Sequence, residues 1–350
     1  MSTAKPSFLK GIVARHETVL LVVIVLEVIL FSSLGRNFFD GSNVSNIFRH
    51  SVEIGLLALA MTPVILTGGI DLSVGSTMGL CAVCFGMLVN DASMSPLMAG
   101  FLAVGIGALG GGLNALLIAR VNLPPLIVTL GTFSLFRGLA EALTKGSESF
   151  SGFPESFLAL GNSEVAGIPA QMWIFLLAAA GVWLLVHHTT IGRSFRAIGY
   201  SPEGSRYAGI PVRRNLGFAY ILAGAIAGLA AVILVARLGE ARANAGIGYE
   251  LLAITAVVLG GTSIFGGSGS VPGTLLGYLA VAILNNGLGR IVDYKLFDQS
   301  ISSVSRELSG VLTGVLLLLA LAVTPLAKNL ASRRSRRQID VNHPLKPKNP

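Results

Sequence analysis

Apolar stretches separated by short polar segments run along nearly the whole chain. Ten can be delimited, near residues 18–34, 48–67, 71–90, 96–119, 124–144, 170–188, 215–237, 249–265, 271–289 and 303–325. Most are long enough to cross about 30 Å of hydrocarbon as a helix rising about 1.5 Å per residue. The pattern predicts an all-α integral membrane fold with about ten transmembrane helices. Two runs fit less well: 48–67 contains Glu53 and Pro63, and 249–265 is short and ends among glycines. The polar ends complete the organisation, with a head at 1–17 and a basic tail at 327–350 around one membrane domain at 18–326. No Pro- or Ser-rich linker divides that domain.

Between the sixth and seventh runs lies a basic loop, Thr189 to Arg214, with a short helix written into it. Ser201 is a good N-cap, and Pro202 suits the first helical position, where a missing N–H is no loss. Glu203 complements the positive end of the helix dipole, and Gly209, after Ala208 and before Ile210, can serve as the left-handed stop. A membrane protein that keeps a stiff helix on a polar loop has something there to grip.

Composition agrees with a bilayer protein: 53% of residues are hydrophobic and 12% charged, where a soluble domain carries about 25% charged residues. Forty-three glycines suit close helix packing in lipid. The net charge of +8 does not imply nucleic acid, because the basic residues flank the spans instead of forming a stripe. With the N-terminus inside, sixteen Lys and Arg fall on inside segments: three in the head, Arg120, five between Arg193 and Arg214, and seven in the tail. Seven fall outside, at Arg36, Arg49, Lys145, Arg237, Arg242, Arg290 and Lys295. That bias predicts cytoplasmic termini. The largest outside loop, Lys145 to Ile168, is locally acidic through Glu148, Glu155 and Glu164. No small-residue cleavage site follows the first run, which reads as a retained span. The tail cluster Ser332 to Arg337 is either a lipid anchor or a partner site. Cys81 and Cys84 lie inside an apolar run without a second pair, so they read as small core residues and not as a metal or redox site.

The chain also echoes itself. Leu66–Ser76 coincides with Val258–Ser268, at an offset of 192, in four positions: Gly68 with Gly260, Gly69 with Gly261, Gly75 with Gly267 and Ser76 with Ser268. Glycine-rich breaks at matching places in two halves are a sequence trace of transporter repeats, so two related halves are expected. Asp71, inside the first break, either faces a watery or protein-lined space or caps the third span.

These segments resemble the permease subunits of ABC importers for simple sugars, the family of the ribose, xylose, rhamnose and autoinducer-2 systems. The carriers are Leu66–Gly75 (Leu-Thr-Gly-Gly-Ile-Asp-Leu-Ser-Val-Gly), Leu126–Thr132, Gly192–Ile210 and Val258–Gly267. The stretch Ser51–Leu59 looks closest to the rhamnose and autoinducer-2 branch. The resemblance implies a multi-pass protein of the bacterial inner membrane. It would pair with a second permease subunit, identical or paralogous, sit on two cytoplasmic ATP-binding subunits and receive substrate from a periplasmic sugar-binding protein. In that family the loop after the sixth span docks on the ATPase through a pattern like Gly-Gly-Asn-x-x-Ala-Ala-x-x-x-Gly-Ile. Gly199, Gly209 and Ile210 match it, whereas Tyr200-Ser201 replaces Gly-Asn and Gly204-Ser205 replaces the Ala pair. ATPase coupling is accordingly assigned to Ser201, Pro202, Glu203, Ala208, Gly209 and Ile210.

A sugar route needs hydroxyl and amide groups with little charge. Thr274, Tyr278 and Asn285 fall within roughly 40° on one helix at about 100° per residue. Thr129, Arg137, Glu141 and Thr144 share about a third of another helix, where Arg137 and Glu141 are either a structural ion pair or part of the route. The candidate route is Asp71, Asn114, Thr129, Thr132, Thr274, Tyr278 and Asn285, with Gly68, Gly69, Gly260 and Gly261 as hinges. Asn114, Asn285 and Asn286 could equally be interhelical glue. His187 and His188 have no carboxylate or cysteine cluster nearby, so metal binding is not expected. The phosphate-loop motif and any catalytic constellation are absent from the sequence, and no cofactor is expected. The expected function is translocation of a monosaccharide or similar polyol, rhamnose- or autoinducer-2-like, driven by separate ATPases. The competing reading is an ion-coupled secondary transporter using carboxylates among Glu27, Glu53, Asp71 and Glu141.

Overall fold

Prolines and short polar side chains set most helix starts. Pro96, Pro125, Pro202 and Pro272 occupy the first turns of helices, where an absent N–H costs nothing. The computed structural model describes residues 16–35 and 37–290, with backbone positions at 295–296, 299–300, 311 and 314–315. In chain order the helices are α1 (His16–Leu34), α2 (Gly41–Arg49), α3 (Val52–Leu66), α4 (Val74–Asn90), α5 (Pro96–Ala115) and α6 (Pro125–Leu143). A π turn, Leu116–Arg120, extends α5. After β1 (Phe150–Ser151) come α7 (Glu155–Asn162) and the hairpin β2–β3 (Glu164–Val165, Ile168–Pro169). The chain continues with α8 (Ala170–His188), α9 (Thr190–Tyr200), α10 (Pro202–Tyr207) and α11 (Val212–Leu238). β4 (Glu240–Ala241) pairs antiparallel with β1, and α12 (Tyr249–Leu259) and α13 (Val271–Leu288) follow.

The core is organised around α3 and α11. Every residue of α3 is buried, which is why a helix so uniformly apolar carries no polar stripe. The 27-residue α11 packs along α5, with α3, α4 and α7 on its other sides. Its tight crossing with α5 brings Gly107 against Gly224, where an added Cβ would strike the opposing backbone. Lipid-like apolar faces point outward on α1 (Val22, Leu26, Ile29), α5 (Leu97, Phe101, Leu109) and α8 (Leu177, Leu184). The elements are interleaved: α1 packs on α13, α11 on α4, and α3 on α12.

Among the described residues six helices are long and apolar enough to cross a membrane, or seven if α2 and α3, bent by 43°, count as one. The expected count of ten is not confirmed, and two runs form helices shorter than expected. The 249–265 run forms only the 11-residue α12, about 17 Å long, because Gly260 and Gly261 stop it. The 71–90 run starts its helix at Val74 and gives 17 residues, since residues 71–73 are taken by a turn. The tenth run at 303–325, the head and the basic tail lie outside the described residues, apart from the first head residues of α1 and three backbone positions in the run.

The internal echo is present in the backbone, one residue later than the sequence alignment puts it. At the end of α3, Gly68 takes φ +82°, and at the end of α12, Gly261 takes φ +88°. Gly69 N donates to Val64 O (3.1 Å) and Gly68 N to Ile65 O (2.9 Å). Thr262 N to Val257 O (3.2 Å) and Gly261 N to Val258 O (2.9 Å) repeat the pattern. Both are Schellman stops, which require a residue at ease with positive φ. Thr67 thus corresponds to Gly260, Gly68 to Gly261, and Gly69 to Thr262. The other two sequence matches are not equivalent: Gly75 lies in α4, whereas Gly267 lies in a loop that runs from 260 to 270.

Candidate functional site

At one end of the bundle the basic loop folds as its residues dictate. Ser201 Oγ accepts from Gly204 N at 3.0 Å, Pro202 opens α10, and Gly209 closes the turn with φ +77°. Ile210 N returns to Ser205 O at 3.0 Å. Pro202, Glu203, Ala208 and Gly209 are exposed, as are the flanking rings of Tyr200 and Tyr207. The preceding α9 is a base for this projection. Phe195 and Ile198 are buried against the bundle, and Arg196 Nη1 donates to Val186 O at 2.9 Å.

The last turn of α9 makes a junction that the sequence did not reveal. Gly199 lies against the backbone at the end of α3 and in the loop that follows α12. A Cβ there would collide with Leu66 O and Gly267 N, which are themselves hydrogen-bonded at 3.0 Å. The exposed helix is therefore joined, backbone to backbone, to the stop of α3 and to the loop after α12. His187 adds a second link, accepting at Nε2 from Val271 N, the first residue of α13, at 3.2 Å. Neither contact has a signal in the spacing of the residues.

Of the hinge candidates, Gly68 and Gly261 hold the left-handed positions. Gly260 caps α12 in ordinary right-handed backbone, and Gly69 packs against the Tyr220 ring.

The candidate route residues divide into two groups. Asp71, Asn114, Thr129 and Thr132 are brought together, but against one another and not along a cleft. Asp71 Oδ1 accepts from Ser73 N (2.9 Å) and Ser73 Oγ (2.6 Å), an Asx turn. Asn114 Nδ2 donates to Ser73 Oγ (2.8 Å), and Thr132 Oγ1 donates to Asn114 Oδ1 (2.7 Å). Thr129 Oγ1 donates to Ile70 O (3.1 Å). All four are buried. They fasten the start of α4 to α5 and α6. Asp71 thus closes a turn two residues on and does not cap the helix itself.

Thr274, Tyr278 and Asn285 share one face of α13, toward α2 and α3. Thr274 Oγ1 meets Thr62 Oγ1 at 2.9 Å, and Tyr278 Oη meets Ser51 Oγ at 2.8 Å. Higher still, Asn43 and Asn286 exchange amide hydrogen bonds at 3.0 and 3.1 Å. A seam of paired polar groups thus runs along α13. Its far end opens into a cleft of about 380 Å³ that Asn285 lines.

Arg137 does not pair with Glu141. Its guanidinium donates to the carbonyls of Ala243 and Ala245, the latter at 3.1 Å, and so holds the loop before α12. Glu141 instead lines a separate polar cleft with Glu148, Glu240 and Arg242. Of the acidic residues expected in the outside loop, Glu148 lies there, whereas Glu164 pairs with Arg49. At that same end Glu53 Oε1 accepts from Arg237 Nε at 2.8 Å, almost fully buried, and Arg237 also reaches His50 Nδ1 at 3.1 Å. This lock spans the start of α3 and the end of α11.

Residues 43–321 match the model of a family described as branched-chain amino acid transport system / permease component. The protein named "Autoinducer 2 import system permease protein LsrD" in Photorhabdus temperata is 38% identical over 309 residues, 87% of this chain and 89% of that protein. The protein of the same name in Escherichia coli strain K12 is 38% identical over 307 residues, 86% of this chain and 89% of its own. No solved structure matches the chain.

Proposed function

The chain belongs to the branched-chain amino acid transport system / permease component family, and from that premise we propose how its parts divide the work of import. It is a membrane-embedded permease of an ABC importer for a sugar-like solute, a transport subunit and not an enzyme. As such it works with ATPase subunits and a periplasmic binding protein in the inner membrane. The solute we assign is a monosaccharide-sized polyol of the rhamnose or autoinducer-2 kind. A second permease subunit, identical or paralogous, completes the complex.

The observation that carries the mechanism is the Gly199 junction. We place α10, with Ser201, Pro202, Glu203, Ala208, Gly209 and Ile210, on the ATPase. Movement of that helix passes through α9 to the Gly68–Gly69 turn and to the loop at Gly266–Gly267, which continues from the turn at Gly260–Gly261. These turns adjoin the ends of α3 and α12, so their displacement parts the seam between α3 and α13. Thr274, Tyr278 and Asn285 would then face solute in place of each other's partners. Asp71, Asn114, Thr129 and Thr132 form the fixed bracket against which the seam moves. The comparisons do not favour the ion-coupled reading, and two of its four carboxylates are engaged: Glu53 is paired with Arg237 and Asp71 is held in its turn.

Two experiments test this division. Reconstituted with its ATPases and binding protein, the permease takes up solute only with ATP. Uptake on a proton or sodium gradient alone overturns the reading. Within that assay, Gly209→Val, which forces a β-branched residue to φ +77°, cuts uptake by about tenfold or more while membrane insertion is unchanged. Unaltered uptake removes α10 from the coupling role.

Orientation follows from the same placement. With Cys81 and Cys84 replaced by alanine, Asn46→Cys reacts with a membrane-impermeant maleimide in intact cells, and Glu203→Cys reacts only after permeabilisation. The reverse pattern inverts the assigned topology.

A further inference from the structure

The cleft at the far end of the seam is lined mainly by amide, hydroxyl and apolar groups. It is bounded by α2, α3 and α13, and Ile47, Ile54 and Ala282 give it an apolar floor. Its rim is almost wholly amide and hydroxyl: Asn43, Asn46, Ser51, Asn285 and Asn286. Among the described residues no carboxylate lines it, and His50 and Arg290 are the ionisable groups there. A sugar presents an apolar C–H face and an equatorial fringe of hydroxyls, which match such a floor and rim. Amides serve this purpose well because each carries both a donor and an acceptor group.

The rim is preorganised. The reciprocal pair Asn43–Asn286 fixes two amides, with Asn43 Nδ2 also donating to Phe38 O at 2.9 Å. Ser51 is fixed by Tyr278. The 43° bend between α2 and α3 falls at His50–Ser51, inside the lining. Opening or closing that bend changes the width of the cleft, and Ser51 lies directly above the seam that leads inward.

We propose that this cleft is the outer substrate subsite, where a neutral polyol released at the outer face is first held before the seam opens. The proposal rests on the permease reading above and adds to it the site and the chemistry of recognition.

Hydrogen–deuterium exchange of the detergent-solubilised transporter tests the subsite without depending on transport. The probes are L-rhamnose, D-ribose and autoinducer 2, with glucosamine as a charged control. The neutral compounds slow exchange in residues 43–54 and 282–290, and Asn46→Leu and Asn285→Leu abolish that slowing. The same two variants raise the KM of ATP-driven uptake about tenfold, the loss expected from removing one amide's hydrogen bonds to solute. Recovery of the assembled complex stays unchanged. Absence of slowing with every neutral probe, equal slowing by glucosamine, or unaltered KM in both variants overturns the subsite. Failure of wild-type uptake to need ATP instead strikes the permease reading and leaves the exchange result standing.

Discussion

Valine in place of Gly199 sharply reduces ATP-driven uptake, although the protein still inserts and still recruits its ATPases. The reason is space at one atom. A Cβ at 199 falls onto Leu66 O, at the end of α3, and Gly267 N, in the loop after α12, and these two atoms are hydrogen-bonded to each other. Backbone cannot rotate aside as a flexible side chain can, so the junction must separate. Overpacking of this kind costs about 1–3 kcal/mol, modest beside the stability of a large bundle but enough to break a mechanical contact. The exposed face of α10 is untouched, so docking persists. The informative measurement is the ratio of solute moved to ATP hydrolysed in proteoliposomes. It falls by about an order of magnitude in Gly199→Val and by less in Gly199→Ala. A normal ratio with Val means that force does not pass through this point.

The second large effect is on stability. Glu53→Ala leaves Arg237 almost fully buried without its partner. Removing one member of a buried pair typically costs about 3–5 kcal/mol, since the remaining charge keeps its desolvation penalty. The variant unfolds several degrees below the wild type in a detergent thermal scan. The double variant Glu53→Ala/Arg237→Ala recovers part of that loss because no charge is stranded. Strictly additive losses would mean that the two residues do not act as a pair. By contrast, the Arg49–Glu164 bridge is far more exposed and belongs to a class worth about 0–1 kcal/mol.

Most of the fold was legible because lipid removes alternatives. A backbone in hydrocarbon must satisfy its own hydrogen bonds, so apolar runs become helices. The boundaries of α1, α8 and α13 lie within a few residues of the runs at 18–34, 170–188 and 271–289. The capped helix α10 was legible for a different reason: Ser201, Pro202 and Gly209 act on their immediate neighbours, and local rules suffice. Legibility failed where a residue's role depends on a distant partner. Nothing near Arg137 announces that it holds carbonyls at 243 and 245, so its neighbour Glu141 looked like the natural mate. Helical phase placed Thr274, Tyr278 and Asn285 on one face but could not say that two of them are matched to α3 and one lines a cleft. The echo between the halves was visible, but identical letters misplaced it by one residue. What is repeated is the geometry of a helix stop, and threonine and glycine exchange places within it.

The interleaving of the two halves bears on how the protein is made. α1 leaves the ribosome first, yet its main neighbour is α13, which begins only at Val271. Throughout most of synthesis α1 must therefore wait in the lipid with its mating surface uncovered, Phe31 and Glu27 included. Any chaperone or translocon that shelters this helix holds it until α13 emerges. A chain truncated before α13 would strand it there, an obvious mark for quality-control proteolysis.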